Sequence, residues 1–272
     1  MDIGIIGIGL MGHAFVERFL AAGFTVRVYN RSQEKTDDLK DSGIILCTTA
    51  DELISTSSTI LLMLSDADAI NELLRLDPQS VEPPCLQGKT ILQMATISPS
   101  QSKEIARSVT SHGGNYLEAP VLGSIPEAKN GTLIIMAGGD EKVFKHVLPT
   151  LQVLGTSPRY IGNTGSAAAL KLAMNQLIAA LTAGFSLSLG YALKNGVDSD
   201  MFMETVRESA LYAKTYDKKL HKYLHRDSGT ANFSTLHMQK DIRLLSDAER
   251  AARLTTDALE RLESITRQTA ED

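Results

Sequence analysis

The fold is decided near the start of the chain by residues 2–12, which read DIGIIGIGLMG. Residues 2–6 are mostly apolar and β-branched, as in a buried strand, and residues 11–22 have the apolar spacing of a helix. Between a strand and a helix, the pattern GxGxxG supplies a tight turn, a close approach of the backbone to a pyrophosphate, and close packing of the helix on the strand. We therefore predict a dinucleotide-binding loop made of Gly7, Ile8, Gly9, Leu10, Met11 and Gly12.

The remainder of the chain divides into two kinds of pattern. Up to about residue 160, short apolar runs alternate with amphipathic stretches, which is typical of βα units around a parallel sheet. After Gly162 the strand-like runs end, and one helix pattern continues from residue 165 to about 195. We predict an α/β domain with a mainly parallel sheet at residues 1–162 and an all-α domain built on one long helix at residues 163–272. Because this helix is apolar around most of its circumference, we expect it to be buried on several sides.

The composition is that of an ordinary globular protein and argues against several kinds of partner. Of 272 residues, 43% are hydrophobic and 22% charged, and a net charge of −5 gives no footprint for nucleic acid or an anionic membrane. The purely apolar runs are too short to cross a bilayer, and the N-terminus lacks signal-peptide features, so we expect a cytoplasmic protein. Cys47 and Cys85 have no CxxC spacing. His221 and His225 lie among lysines without an evident third ligand, so we predict a solvated face and no metal.

The end of the second predicted strand indicates which dinucleotide is bound. An enzyme that uses NAD normally has an acidic side chain there for the ribose 2′-hydroxyl, whereas this chain has Asn30, Arg31 and Ser32. Arginine can pair with a 2′-phosphate and stack on adenine, and serine can donate a hydrogen bond to the same phosphate. We therefore predict NADP (NADPH) as the cofactor, the alternative being that Arg31 is a solvated loop cation. Met63 and Leu64, at the end of a later predicted strand, are further expected cofactor contacts.

A lysine interrupts the long apolar helix pattern at position 171. Asn175 follows one helical turn later, so the two side chains project from the same face. Burial of an unpaired ammonium is costly, so Lys171 either has a partner or serves chemistry in a cleft. From this pattern alone, both a catalytic role and a structural ion pair stay open for Lys171, and Asn175 could equally be a core amide.

Three further segments fit one known pattern in the same order along the chain, namely residues 118–124, 162–175 and 233–241. Together with residues 4–12, they make the sequence similar to the β-hydroxyacid dehydrogenases, and within them to the glyoxylate/succinic semialdehyde reductases. The resemblance spans nearly the whole chain. It implies a Rossmann-like N-terminal domain, an all-helical C-terminal domain, an active site in the cleft between them, and a homodimer or homotetramer.

The resemblance also implies roles for individual residues. Lys171 matches the family's catalytic lysine, which protonates the carbonyl oxygen while the nicotinamide delivers hydride, and Asn175 matches the asparagine that holds the substrate oxygen. Thr96 matches a threonine beside the nicotinamide, and Lys240 matches a lysine that reaches the cofactor from the helical domain. The implied function is NADPH-dependent reduction of a small aldehyde or 2-oxo acid, of the glyoxylate or semialdehyde type, to the hydroxyacid.

The predicted substrate side departs from the family pattern at one position. Phe233 and Asp241 match positions that line the substrate in similar members. Most of the family has a serine where this chain has Leu122, and leucine cannot donate that serine's hydrogen bond to a substrate carboxylate. The backbone amides of Gly123 and Ser124, or the Ser124 hydroxyl, can still hold a carboxylate. The departure favours a bulkier or less polar carbonyl substrate over a compact hydroxyacid.

Two alternatives are considered, a second enzymatic activity and a function of a different class. One is imine reduction, which relatives perform with other residues in place of the lysine, so Lys171 argues against it. The other is a cofactor-binding interaction module without catalysis, which Lys171 and Asn175 disfavour and Leu122 keeps open. The partners that we expect are a small carbonyl substrate and further copies of the chain.

Overall fold

Alternating strands and helices form the first part of the chain in the computed structural model, which describes residues 1–76, 84–225 and 235–252. The chain divides into two units, Met1–Leu172 and Ala173–Asp272. The strands are β1 (Asp2–Ile6), β2 (Thr25–Tyr29), β3 (Ile45–Leu46), β4 (Thr59–Leu62), β5 (Thr90–Gln93), β6 (Asn115–Glu118), β7 (Val121–Leu122), β8 (Ile134–Gly139) and β9 (Arg159–Gly162). The helices are α1 (Leu10–Ala21), α2 (Ala50–Thr56), α3 (Ala67–Leu74), α4 (Pro99–Ser111), α5 (Ile125–Asn130), α6 (Glu141–Leu154), α7 (Ser166–Lys194), α8 (Ser199–Glu208), α9 (Lys214–His225) and α10 (Thr235–Ala252). A 3-10 helix spans Gln33–Leu39.

The strands of the first unit form one mainly parallel sheet. Its order is β3-β2-β1-β4-β5-β6-β8-β7, with β9 also paired to β8, and strands β1 to β6 run parallel to one another. Strand β8 runs antiparallel to β6 and β7. The order reverses between β1 and β4, because β2 and β3 lie on one side of β1 and the later strands on the other. In such sheets, ligands bind outside the carboxyl ends of the strands at this switch point.

Side-chain alternation along the strands divides the core of this unit into two layers. Leu61 and Leu92 belong to a cluster that includes residues of α1, α5 and α6, whereas Ile60 and Ile91 belong to one that includes residues of α2, α3 and α4. Successive residues of a strand point to opposite faces, so the sheet is covered on both sides. The predicted α/β fold with a mainly parallel sheet and a helical C-terminal region is confirmed.

Capping side chains fix where several helices of this unit begin. The Thr49 side chain accepts a hydrogen bond from the Glu52 amide at the start of α2, and Asp66 accepts one from the Ala69 amide in α3. At α4, Ser98 and Gln101 form a reciprocal capping box before a proline in the first turn. Each cap ends the extended backbone that follows a strand and sets the direction of the next helix.

The core of the second unit is an aromatic cluster around Phe185. Its ring stacks on Tyr216 with centroids 4.5 Å apart, and Leu189 and Met203 are buried beside it. The rest of the surface of α7 is less covered than its composition predicts, since Leu187 is 75% and Tyr191 73% exposed. Among the described residues, α8 and α9 form an apolar cluster with the side of α7 that carries Phe185 and Leu189, and the side that carries Leu187 and Tyr191 stays exposed. The prediction that this helix is buried on several sides is therefore wrong for the described part of the single chain.

Some elements were not predicted because they are short. Strands β3 and β7 and helices α2 and α5 have between two and seven residues, too few for a hydrophobic period to appear. Strand β9 has four residues, as β4, β5 and β6 do, but its residues are exposed or half-buried, so it lacks the buried apolar run that indicates those strands. Within the described ranges, one helix, α7, has the length and apolar composition of a membrane-spanning segment. A single helix of this kind is weak evidence, because core helices of globular domains meet the same criterion.

Candidate active site

The glycine loop between β1 and α1 is shaped by two close backbone approaches. Gly7 has a φ of +99°, and a Cβ built on it would lie 2.3 Å from the Met63 carbonyl oxygen. A Cβ on Gly12 would lie 2.0 Å from the Gly7 carbonyl oxygen. Both positions therefore require glycine for the fold itself, the first for the turn and the second for packing of the helix against it.

Gly9 differs from both of these glycines. Its φ of −90° is open to any residue, and a Cβ there would meet no protein atom within 4 Å. It precedes α1 without a side-chain hydrogen bond to the helix end, and the first turn has no acidic residue. The first amides of a helix point outward and favour an anion. The loop thus fits a pyrophosphate, with open space at Gly9 beside the helix N-terminus. Ile8 is buried below this loop, whereas Leu10 is exposed and Met11 half-buried.

The residues after β2 are arranged around Asn30. Its Oδ1 accepts a hydrogen bond from the Ile8 amide at 2.9 Å, and its Nδ2 donates to the Ser32 carbonyl at 2.7 Å. Asn30 therefore ties the glycine loop to the segment that follows the second strand. The Arg31 side chain is 86% exposed and lies 3.9 Å from Glu72, a contact too solvated to hold it strongly. Arg31 is thus accessible to a ligand at this strand end.

The other predicted cofactor residues of this unit lie at the same edge of the sheet. Met63 and Leu64 follow β4, and Thr96 follows β5 by three residues, so all three stand beyond the carboxyl ends of parallel strands. The Met63 amide donates to the Ile6 carbonyl at 2.9 Å, which holds this loop against the end of β1. Met63, Leu64 and Thr96 are half-buried. The sheet therefore brings these residues and the glycine loop to one edge.

The predicted substrate loop already has an internal partner for its serine. Leu122 is half-buried at the end of β7, and Gly123 has a φ of +129°. The Ser124 amide and hydroxyl both donate to Glu127 Oε2, at 2.8 and 2.6 Å. The two Ser124 donors considered as substitutes for the missing serine are thus engaged by Glu127 in this structure. The pattern of a serine followed three residues later by glutamate indicates this pairing in the sequence.

A buried glutamate at the start of α7 was not predicted as a site residue. Glu118, at the end of β6, is fully buried, and its Oε1 accepts hydrogen bonds from the amides of Gly165, Ala167 and Ala168 at 2.8, 2.8 and 3.2 Å. Its Oε2 accepts a hydrogen bond from Ser102 Oγ. The three donors are backbone amides just before and within the first turn of α7, 47 to 50 residues away in sequence, so residue types could not predict them.

Burial raises the pKa of Glu118 above its usual value of 4.5, although the hydrogen bonds from Ser102 and the three amides act against this shift. Tyr116, whose hydroxyl lies 2.8 Å from Ser102 Oγ, also has a raised pKa because it is buried. A carboxyl with a raised native pKa binds its proton more tightly when folded. Its contribution to stability is therefore complete below pH 4.5 and decreases as the pH rises through the native pKa.

We expect the free energy of unfolding of the wild type to fall, relative to that of Glu118→Gln, as the pH rises from 4.5. Glutamine is neutral at every pH, whereas the wild type must hold an ionised carboxylate in a buried place. Urea unfolding of both proteins at several pH values between about 4 and 8 measures the difference. A difference that stays constant over this range would contradict the prediction.

Lys171 and Asn175 lie on α7, and their spacing of four residues places them on the same face of that helix. Lys171 is half-buried. Asn175 is 5% exposed, and its Nδ2 donates to Asp241 Oδ2 on α10 at 2.7 Å. Asp241 is itself buried, and its Oδ1 lies 3.4 Å from Lys240 Nζ. The second unit thus brings together Asn175, Lys240 and Asp241, while Phe233 lies outside the described residues.

Within the described part of the chain, no group of three or more histidine, cysteine or acidic side chains has the arrangement of a metal site. What the structure presents is a parallel sheet with a glycine loop at its switch point, followed by a long helix that carries a lysine and an asparagine on one face. This arrangement defines the class of dinucleotide-dependent dehydrogenases with a helical second domain.

Comparison with known proteins shows to which family within this class the chain belongs. The family model of the NAD binding domain of 6-phosphogluconate dehydrogenase matches residues 2–162, and that of the NAD-binding domain of NADP-dependent 3-hydroxyisobutyrate dehydrogenase matches residues 165–272. The chain is 33% identical over 244 residues to glyoxylate/succinic semialdehyde reductase 1 of Arabidopsis thaliana, which covers 90% of this chain and 84% of the relative. It is 32% identical over 255 residues to 2-hydroxy-3-oxopropionate reductase of Escherichia coli, and this match covers 93% of this chain and 86% of the relative.

A solved structure of Psf3 in complex with NADP+ and 2-OPP has a TM-score of 0.86 and 25% identity, with 98% of this chain and 93% of that chain covered. The chain belongs to the β-hydroxyacid dehydrogenase family, whose members are NAD(P)-dependent dehydrogenases and reductases. This confirms the family and the enzyme class that the sequence motifs indicate, and a nicotinamide dinucleotide as the cofactor.

Proposed function

We propose that this protein reduces a small aldehyde or 2-oxo acid to the corresponding hydroxyacid with NADPH, and that Lys171 is the general acid. The observation that carries the proposal is the pair on one face of α7, a half-buried ammonium at Lys171 and a buried amide at Asn175. An ammonium can give a proton to a carbonyl oxygen as negative charge develops there. An amide one helical turn away can hold the same oxygen by donating a hydrogen bond.

The roles of the other residues follow from the groups that they present. Residues 7–12 would hold the pyrophosphate at the N-terminus of α1, with Arg31 and Ser32 at the 2′-phosphate. When bound, the nicotinamide supplies the hydride for reduction. Asp241 accepts the hydrogen bond from Asn175 Nδ2, which orients the amide on α7. We propose that Lys240 and Thr96 contact the cofactor, and that Phe233 and the loop at residues 122–124 contact the substrate.

The substrate class is proposed from the relatives and from Leu122. Glyoxylate, succinic semialdehyde and 2-hydroxy-3-oxopropionate appear in the names of the relatives, and all are short carbonyl compounds with a carboxylate. Because Leu122 has no hydroxyl and Ser124 is engaged by Glu127, this loop offers fewer donors to a compact carboxylate. We therefore propose succinic semialdehyde or a less polar aldehyde ahead of glyoxylate.

The experiment is a steady-state assay of the purified protein with glyoxylate, succinic semialdehyde, 2-hydroxy-3-oxopropionate and methylglyoxal, each with NADPH and with NADH. We expect oxidation of NADPH with at least one aldehyde, and a higher kcat/KM for succinic semialdehyde than for glyoxylate. Tight binding of NADPH without turnover of any of the four would favour the interaction module over the enzyme.

The preference for NADPH is testable at Arg31. We expect Arg31→Ala to lower the ratio of kcat/KM for NADPH to that for NADH by about ten- to a hundredfold, because a charge-assisted pair with the 2′-phosphate contributes about 1.5–3 kcal/mol. Lys35→Ala, which removes an exposed cation of the 3-10 helix, is the matched control and should leave the ratio nearly unchanged. An equal loss with both cofactors in Arg31→Ala would contradict this prediction.

We propose that the protein is a homodimer or homotetramer. The exposed apolar side chains of α7, Leu177, Leu187 and Tyr191, form a surface that an isolated chain leaves in water. Sedimentation equilibrium of the wild type tests this, and a monomer at micromolar concentration would contradict it.

A further inference from the structure

We propose that Glu118 is a positioning residue for the reaction, because its carboxyl group fixes the start of α7 and thereby the place of Lys171. The inference rests on the proposed role of Lys171 as the general acid. Within residues 1–76, 84–225 and 235–252, the hydrogen bonds of the Glu118 side chain go to Ser102 and to amides at the start of α7 and not to residues 7–12, so its effect on the reaction would pass through the helix.

Three hydrogen bonds to one oxygen hold the first turn of α7. The amides of Gly165, just before α7, and of Ala167 and Ala168 in its first turn converge on Glu118 Oε1, and three amides at different positions fix the start of a helix both along its axis and around it. Lys171 is three residues beyond Ala168, which corresponds to a rise of about 4.5 Å. A shift of this turn therefore moves the base of the Lys171 side chain with it.

The carboxyl group is itself held from the opposite side. Ser102, on α4, donates to Oε2 and contacts the Tyr116 hydroxyl, so the group is fixed between β6, α4 and α7. Strand β8 closes the site, because a Cβ on Gly138 would lie 2.5 Å from Glu118 Oε1 and 3.2 Å from the Ala167 amide nitrogen. The residues around this group, Ser102, Tyr116, Glu118 and Gly138, are all buried. A water molecule therefore cannot readily replace the carboxyl oxygen as the hydrogen-bond acceptor.

Charge and geometry can be separated by two conservative replacements. Glu118→Gln keeps an oxygen acceptor at the same distance and removes the negative charge at the helix N-terminus. Glu118→Asp keeps the charge and withdraws the oxygens by one methylene group. If the position of α7 is what matters, the glutamine variant should resemble the wild type and the aspartate variant should not.

The experiment compares Glu118→Gln, Glu118→Asp and Glu118→Ala in the full chain. We expect kcat for aldehyde reduction to fall by about ten- to a hundredfold in the aspartate and alanine variants, because a displacement near 1 Å of a reacting group has effects of this size. The dissociation constant for NADPH and the KM for NADPH should stay near wild type. The Glu118→Gln variant should keep most of the wild-type kcat. If the negative charge of Glu118 were required, this variant would lose kcat as the other two do.

Asp140→Ala is the matched control. Asp140 caps α6 in the same unit through its carboxylate, which accepts hydrogen bonds from the Lys142 and Val143 amides, and α6 carries no candidate site residue. We expect this variant to lose thermal stability and to keep kcat. If Glu118→Ala does not fold, Glu118→Asp and Ser102→Ala, which leaves the three amide bonds in place, provide the test instead.

A second measurement does not depend on turnover. The rate at which acetic anhydride modifies Lys171, relative to Lys194 at the far end of α7, is measured by peptide mass spectrometry in each variant. We expect the relative rate to change several-fold in Glu118→Asp and to match the wild type in Glu118→Gln and Asp140→Ala. Absence of turnover in the wild type would refute the proposed function, and the modification rates would still decide the role of Glu118. Folded aspartate and alanine variants with wild-type kcat and wild-type modification of Lys171 would overturn the inference.

Discussion

Replacement of Lys171 by methionine should lower kcat for aldehyde reduction by about a hundred- to ten-thousandfold, the range that general acid catalysis contributes. Methionine has nearly the length of lysine and suits an apolar helix, so α7 should keep its packing. The ammonium is the proton donor in the proposed reaction, and without it the developing negative charge on the oxygen would have only the Asn175 amide. Stopped-flow measurement of NADPH oxidation with the best aldehyde of the panel gives the rate of the step itself.

Two further variants show whether the lost rate belongs to the proton of Lys171. Lys171→Arg keeps the positive charge but cannot release a proton near neutral pH, so it should recover only a small part of kcat. Lys194→Met removes an exposed lysine from the last turn of the same helix and should behave like the wild type. The dissociation constant for NADPH should stay within about threefold of wild type in all three, because Lys171 acts on the substrate oxygen. A Lys171→Met variant with near-normal kcat would refute the general acid role.

The sequence predicts the dinucleotide half of this protein well for a physical reason. The demands on Gly7 and Gly12 are local, since they arise from a turn and from a helix that begins immediately after it. Strands β1, β2, β4, β5, β6 and β8 and the longer helices α1, α3, α4 and α6 likewise follow apolar periods within single segments, which the alternating pattern up to about residue 160 indicates. Short elements such as β7 and β9 are stabilised by pairing with β8, which depends on residues distant in sequence.

The parts that could not be predicted depend on contacts between distant segments. Glu118 accepts hydrogen bonds from three backbone amides at the start of α7, and a backbone donor cannot be identified from residue types. The burial of α7 could not be predicted for a similar reason. An apolar helix surface indicates that something buries it, but not which residues or which chain do so. The boundary after Gly162 stays a prediction, since α7 begins at Ser166 and the two units divide within that helix, after Leu172.

Gly9→Val should abolish measurable NADPH binding while leaving the fold intact. The backbone at this position has φ −90° and ψ −166°, which valine adopts readily, and a Cβ there would contact no protein atom within 4 Å. The isopropyl group would instead occupy the space in front of the α1 N-terminus. Loss of two charge-assisted hydrogen bonds from the helix amides to phosphate would cost about 3–6 kcal/mol, which is more than a hundredfold in the dissociation constant.

Gly12→Val supplies the contrast within the same loop. A Cβ at Gly12 would lie 2.0 Å from the Gly7 carbonyl oxygen, so this variant should lose stability as well as binding. Isothermal titration with NADPH measures binding, and thermal unfolding without cofactor measures the fold. If Gly9→Val binds NADPH as tightly as the wild type, the pyrophosphate does not lie at the N-terminus of α1. If Gly9→Val unfolds as readily as Gly12→Val, then glycine at position 9 serves the fold, and the open space beside it is not a reason to place the cofactor there.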